Sequence, residues 1–351
     1  MFNKPVVFVI GAGASREYNF PLGEDLKNEI AKKVRFRFNN GYGAGKNEGD
    51  QELLRQIRSH APVSETQNIY TTEANVLAAA INVSISIDEA LHYVGKSKHA
   101  VEVGKIAIIQ SILSAERGSS LGIDPQRGRP KNGTQEGWIL QLLSMAIAGS
   151  QRENLEEIFS NVTFINFNYD RALEQHLYWS LQDMASATPD QAVAIVTSLN
   201  MIRPYGTVGP LVLPGGTAKG GVDFGAGHVD LFSLIDRIRT YTETEALHDI
   251  KAMGKALRNA RMVIFLGFGY HSSNLDILLN DLTPKERESP IRNSVAEVLG
   301  TFIGVHEANE KVIRDRISKN LWIVSENIHL LSLKATPLLE ELRRRILIAL
   351  E

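Results

Sequence analysis

Val6-Val7-Phe8-Val9-Ile10 runs straight into Gly11-Ala12-Gly13-Ala14-Ser15. An apolar run of this length, closed by glycines and followed by a helix-like stretch from Glu24, reads as a buried parallel strand, a tight turn and a helix. Polar Arg16 and Glu17 and then Phe20-Pro21-Leu22-Gly23 lie between turn and helix. In such an arrangement the backbone N–H groups after the strand can point at a phosphate, so the segment suggests a nucleotide site at the end of a first strand. A dinucleotide fingerprint wants a third glycine where this chain has Arg16. A tight turn that binds nothing is the other reading of the same residues.

The strand–turn–helix pattern returns further along. Val162-Thr163-Phe164-Ile165-Asn166-Phe167 ends at Asn168-Tyr169-Asp170, with a helix expected over Arg171 to Leu181. Met262-Val263-Ile264-Phe265-Leu266 ends at Gly267-Phe268-Gly269-Tyr270-His271, with a helix from Leu275 to Leu279. Met201-Ile202-Arg203 reads as a short strand before Pro204-Tyr205-Gly206, and Leu321-Trp322-Ile323-Val324 as a final one. The repetition predicts an α/β fold: a Rossmann-like parallel sheet with helices on both faces and ligand loops at the carboxyl ends of the strands. The strand ends at Gly11, Asn168 and Gly267 should then converge.

Between the first two strands the period changes. Asn39 to Asp50 reads as a mobile loop by composition, and helical patterns recur from Glu52 to about Glu116. Ser86 with Glu89 forms a candidate capping box, and Val101 to Ala115 is apolar enough for burial on more than one face. Gly118 to Gly133 is a long connection, either surface loop or lid, before a helix over Trp138 to Ala148. This gives a mostly helical insertion, residues 37–159, forming a second lobe on a core made of residues 1–36 and 160–351. Later, Pro214 to Gly227 reads as a glycine-rich loop, Val229 to about Arg258 as helical, and Pro337 to Leu350 as a closing amphipathic helix. Its Arg343-Arg344-Arg345 run is read as a solvated face.

Composition narrows the function. With 351 residues, 43% hydrophobic and 22% charged, the chain has the make-up of a globular protein with a sizeable core. A net charge of −2 supplies no global attraction for nucleic acid or an anionic membrane. The absence of cysteine excludes disulfides, cysteine nucleophiles and cysteine-ligated zinc or iron–sulfur clusters. Neither His92, His99, His176, His228 and His248 nor Glu102, Glu116, Glu153, Glu156 and Glu157 fall into a metal spacing, so no metal is expected. No stretch reaches the ~18 apolar residues of a membrane span, and Met1 to Lys4 does not begin a signal peptide. The expected location is cytoplasmic.

Taken in order, Phe8 to Ser15, Phe20-Pro21-Leu22-Gly23, Ser86-Ile87-Asp88, Phe164 to Asp170, Tyr205-Gly206 and Phe265 to Gly269 resemble the bacterial sirtuin-like domain of anti-phage defence proteins. The resemblance spans roughly residues 5 to 280. It implies that NAD is the substrate and that Gly11, Ala12, Gly13, Ala14 and Ser15 cradle its diphosphate, with Phe20 and Pro21 alongside. It places Asn168 by the nicotinamide ribose, Asp170 at the nicotinamide, Gly206 in the site, and Gly267, Phe268 and Gly269 on the adenosine side. Deacylating sirtuins carry a four-cysteine zinc module that this chain lacks. Defence members instead break NAD into nicotinamide and ADP-ribose.

One position departs from the family, which commonly has a catalytic His where this chain has Tyr205. A phenol titrates near pH 10 and is a weak base at neutral pH. His271 is the candidate replacement, because imidazole titrates close to neutrality. A loop histidine that merely contacts ligand is equally compatible with the sequence. Asn168-Tyr169-Asp170 can likewise be a strand end and helix cap, with or without a catalytic role. The reading is an NAD glycohydrolase of abortive-infection defence, idle until assembly or a partner activates it. Family analogy adds a homo-oligomer and a HerA-type ATPase or other sensor subunit, with no membrane contact and nucleic acid involved only indirectly. The alternative is a non-catalytic subunit that binds NAD or ADP-ribose and regulates a defence complex.

Overall fold

The computed structural model describes residues 2–38, 48–132, 134–240, 243, 248–279 and 295–351. The expected loop at 39–50, the 118–133 connection and the helical run at 229–258 each lie partly outside these residues.

Six strands form one sheet: β1 Val6–Ile10, β2 Val162–Asn166, β3 Asn200–Ile202, β4 Met262–Leu266, β5 Glu297–Thr301 and β6 Ile328–Leu331. Every neighbouring pair is parallel, and the spatial order is β3-β2-β1-β4-β5-β6. The chain therefore winds outward from β1 on one side, then returns across it to begin β4 on the other. That reversal is the topological switch point of a Rossmann-like sheet, where loops diverge and leave a crevice. In the register, Ile10 lies opposite both Asn166 and Leu266. The loops after β1, β2 and β4 thus leave the sheet at the same level, as the strand-end argument requires.

β1, β2 and β4 read as near-continuous apolar runs because both sheet faces are covered. Val6, Phe8 and Ile10 enter one hydrophobic cluster, and Val7 and Val9 enter the other. The first cluster takes helices α6 Trp138–Ile147, α7 Ala172–Ala185, α8 Pro189–Thr197, α12 Ala335–Glu341 and α13 Arg343–Leu350. The second takes α1 Gly23–Lys33, α2 Gln51–His60, α3 Ser64–Val83, α4 Ile87–Tyr93, α5 Lys98–Gly118, α9 His248–Asn259, α10 Ser272–Leu279 and α11 Glu310–Leu321. The inserted helices α2 to α5 share one contiguous cluster with Val7, Val9, Ile165 and Val263 of the sheet. The α6 helix packs on the opposite face. No helix among the described residues is long and apolar enough to cross a membrane.

Several local expectations need correction. Leu321–Val324 is not a strand: Leu321 ends α11, Trp322 adopts φ 54°, and the Ile323 amide bonds back to Ser318 O at 3.2 Å. The apolar run belongs to a helix C-terminus closed by a left-handed residue. The last strand lies later, at Ile328–Leu331, and β5 was not anticipated because Gly300 and Glu297 break its apolar run. Phe232–Arg237 forms a 3-10 turn where α-helix was expected, and the closing helix is interrupted at Leu342. The 118–133 connection holds a small antiparallel pair, Ile123–Asp124 with Arg129–Pro130. Ser86 does cap α4 by accepting the Glu89 amide, but the Glu89 carboxylate reaches the Ile85 amide instead of closing the box on Ser86.

Candidate functional site

Gly11 follows β1 and caps a single helical turn, Ala12–Ser15. The turn is pressed against the loop after β4. The Gly11 amide donates to Leu266 O at 3.0 Å, Gly13 to Gly267 O at 2.9 Å and Ala14 to Gly11 O at 3.0 Å. A Cβ on Gly11 would lie 2.7 Å from Gly267 O, and one on Gly13 would lie 2.8 Å from Gly267 Cα. Gly267 has φ +59°, and a Cβ there would meet Ala14 N at 1.8 Å. Its own amide donates to Thr301 Oγ1 at 2.8 Å, which fixes the loop to the end of β5. The glycines are therefore required by backbone-on-backbone packing across the switch point. Three backbone amides of the turn are committed to protein carbonyls.

That side chain is where the first two motifs meet. The parallel ladder runs one residue past β2, with the Phe167 amide on Ile10 O at 2.9 Å. The chain then turns, the Asn168 amide bonding to Asn166 Oδ1 at 3.0 Å. This directs Asn168 Nδ2 to donate to Ser15 Oγ at 3.0 Å, across 153 residues of sequence. The Ser15 hydroxyl also hydrogen-bonds to the Asp170 carboxyl. Asp170 Oδ1 accepts the Ala172 amide at 3.0 Å, so the carboxyl starts α7 as well. Burial pushes the Asp170 carboxyl up to about 6, against the opposing pull of the Ala172 amide, the Arg203 charge and Ser15. Asn168 and Asp170 are 7% and 5% exposed.

Arg203, absent from the sequence-based site, holds this loop. Its Nη1 donates to Asn168 O at 2.9 Å and Asp170 O at 3.0 Å, while Nη2 pairs with Glu174 Oε1 at 2.6 Å. The middle residue, Tyr169, crosses to the inserted helices and donates to Asp88 Oδ1 at 2.7 Å. Burial raises the Asp88 carboxyl to about 6 as well. Thr207 Oγ1 donates to Tyr169 O at 2.8 Å, so the segment is held from both sides.

The remaining candidates are placed less centrally. Tyr205 is buried, stacks edge-on against Phe167 at 5.9 Å and donates its hydroxyl to Asn274 Oδ1 at 2.8 Å. Gly206 has φ +78°, and a Cβ would lie 1.9 Å from Arg237 O, so packing demands glycine there. Phe268 packs edge-on against Phe167 at 5.1 Å and joins the aromatic wall with Phe265 and Tyr270. His271 is exposed on the same loop, its ring next to Gly269, and its backbone carbonyl accepts the Leu275 amide. Among the described contacts, none joins the His271 ring to Asn168, Asp170 or Tyr205. Phe20 is fully buried in the core cluster on the α6 and α7 side.

Pro21 lines a cavity of about 330 Å³ with Arg16, Asn19, Asp25, Glu29, Ser111, Ser114 and Ala115. The cavity lies along the seam between the segment after the glycine turn and α5. Its lining is mostly polar or charged, with the Arg16–Asp25 ion pair at 3.2 Å on one wall. Compared with known proteins, the chain matches no family model and no curated sequence.

Proposed function

We propose that this chain is an NAD glycohydrolase of antiviral defence, releasing nicotinamide and ADP-ribose once assembly or a partner subunit activates it. The observation that carries the reading is the Asn168–Ser15–Asp170 cluster, set at the carboxyl ends of adjacent strands beside the switch point. The chemistry asks little more of the protein. The bond from ribose C1′ to the nicotinamide nitrogen breaks, its electron pair leaves with the neutral base, and positive charge develops on the ribose. A water oxygen then bonds to C1′, and its proton passes to solvent water. The Asn168 amide orients the ribose or the water, and the Asp170 carboxylate offsets the developing charge. Ser15 holds the two in register. Tyr205, committed to Asn274, positions the wall of the site and takes no proton.

Both reacting groups are nearly inaccessible, and the Asn168 amide is occupied by Ser15. Substrate reaches them only after the surrounding loops part. That favours an enzyme held idle, which fits the expected dependence on homo-oligomer assembly or on a HerA-type ATPase. A specific observation favours the second reading, a regulatory subunit that binds NAD or ADP-ribose without cleaving it: the Tyr205 hydroxyl bonds to Asn274, and among the described contacts none carries His271 to the cluster.

Nicotinamide release from NAD, measured with the protein alone and with its genomic neighbours, separates the two. The enzyme reading expects release that Asn168→Ala lowers by at least about a hundredfold, the scale of losing one oriented polar group at a reacting centre. NAD bound tightly and left intact in every assembly state would establish the regulatory reading instead.

A further inference from the structure

Ser15 reaches Asn168 and Asp170 from the end of a single helical turn, Ala12–Ser15, which gives way at once to a 3-10 turn, Arg16–Tyr18. A helix this short is not held by its own hydrogen bonds, because nucleation is unfavourable and one turn adds too few of them. Something outside the turn must fix where Ser15 stands. The first residues of α6 do so on both sides of it. Trp138 Nε1 donates to Ala14 O at 3.1 Å, and the Ile139 amide donates to the Tyr18 hydroxyl at 3.1 Å. Ala14, Tyr18, Trp138 and Ile139 are all buried, so water does not compete for either bond. Gly137, just before α6, has φ +101° and leaves no room for a Cβ against the Tyr18 hydroxyl. Of the two buried tryptophans, Trp138 alone uses its N–H in this way. Trp179 Nε1 is buried with no hydrogen-bond partner among the described residues.

We infer that Trp138 is a positioning residue of the candidate site: its indole N–H holds the Ala14–Ser15 peptide so that the Ser15 hydroxyl meets Asn168 and Asp170. The consequence for catalysis rests on the proposed function; the placement of Ser15 rests on the geometry alone. The Ala14 carbonyl and the Ser15 amide share one rigid plane, so the indole fixes the plane from which the Ser15 side chain departs. Without that N–H the Ala14 carbonyl is buried and unpaired, and the turn shifts to recover a partner. Displacement of Ser15 breaks the hydrogen bond by which its hydroxyl favours the charged form of Asp170. The Ala172 amide and Arg203 also favour that form, and Glu116 opposes it, but none of the three belongs to α6. A change at Trp138 therefore reaches the carboxyl through Ser15.

Carbon-13 NMR titration of the full chain follows the Asp170 carboxyl, assigned with Asp170→Asn. Ser15→Ala sets the scale and should raise the midpoint by about half a pH unit or more, the size of losing one hydrogen bond to a carboxylate. Trp138→Phe keeps an aromatic ring, deletes the N–H and should give most of that rise. Trp179→Phe should give none, although it also removes a buried indole. Should Trp138→Phe fail to fold by circular dichroism, Tyr18→Phe loosens the other side of the same segment and should raise the midpoint in its place. Where nicotinamide is released from NAD, the folded variant should also lose at least about fivefold in kcat, with KM changed by less than about twofold. A wild-type midpoint in Ser15→Ala or in the folded Trp138 or Tyr18 variant overturns the inference. So does an equal rise in Trp179→Phe, or an unchanged kcat. Absence of release from every protein overturns the proposed activity instead, and the titration still decides whether Trp138 places Ser15.

Discussion

The Asp170 carboxyl accepts the amide that starts α7 and shares the Ser15 hydroxyl with Asn168, yet only 5% of the residue is exposed. The carboxyl that the proposed function uses thus also accepts the first helical amide, although the N-cap position itself is Arg171, which carries no side-chain cap. Burial raises this carboxyl from 3.8 to about 6, which sets the sign of its contribution to stability. Between those values the folded chain holds a proton that the unfolded chain has released, so stability falls as pH rises through that window. A shift of this size corresponds to about 3 kcal/mol. Asp88, raised to about 6 by burial, adds a slope of the same sign. Asp170→Asn keeps an oxygen for the Ala172 amide and removes the titration. Its urea midpoint should change less than that of the wild type between pH 4 and about 7, and at pH 7.5 it should be at least as stable. Identical pH slopes for the two proteins would show that Asp170 is not held in this environment.

At the scale of elements, a buried ion pair links the inserted helices to the segment that follows β2. Glu116 in the last turn of α5 and Arg171 at the start of α7 are fully buried. Arg171 Nε donates to Glu116 Oε1 at 2.9 Å and Nη2 to Oε2 at 2.5 Å, and the guanidinium also reaches Val222 O and Asp223 O. Glu116 Oε2 accepts the Gly225 amide at 2.9 Å, so the pair binds two helices and a loop. Glu116→Gln leaves the guanidinium without its counter-charge and should cost roughly 3–5 kcal/mol in chemical denaturation. Glu116→Leu combined with Arg171→Met should cost less than the two single changes added together, a coupling that a double-mutant cycle measures. Additive losses would mean that the two groups act separately. None of this was legible in the sequence, where Arg171 is one more residue after Asp170 and Glu116 one more helix acid. The central strands were legible, because β1, β2 and β4 are covered on both faces and read as near-continuous apolar runs, interrupted in β2 by Thr163 and Asn166. The β5 and β6 side was not: Gly300 interrupts the one, and the other is a half-exposed edge that alternates. The motif residues of the site were visible because turns and glycines are local signals. Arg203 and Asn274 were not, because they act through hydrogen bonds to residues 33 to 69 positions away.

Across the whole molecule, the sheet order decides what can act together. Because β1 lies between β2 and β4, the Ser15 turn touches the β4 loop through its backbone and the β2 loop through Asn168. Rearrangement of either loop changes the turn, which would give the proposed activation by assembly a physical route to the candidate site. The same order governs cooperativity. The inserted helices α3 to α5 share their cluster with Val7 and Val9, whereas Trp138 of α6 and Trp179 of α7 pack in the cluster on the other face, with Phe8 and Ile10. Each face of β1 is thus one wall of a separate cluster, and neither cluster can open without uncovering the strand that supports the other. Tryptophan fluorescence reports mainly the α6 and α7 face, where Trp138 and Trp179 are buried, although Trp322 is exposed elsewhere. Far-ultraviolet circular dichroism weights all the helices, including the long α3 and α5. Equilibrium urea unfolding followed by the two probes should give coincident curves with one midpoint. A circular-dichroism midpoint well below the fluorescence midpoint would mean that the inserted helices melt first, as a unit with a core of their own. In that case the proposed gating could not pass through β1 and would have to act at the Tyr169–Asp88 contact, where the insertion meets the site directly.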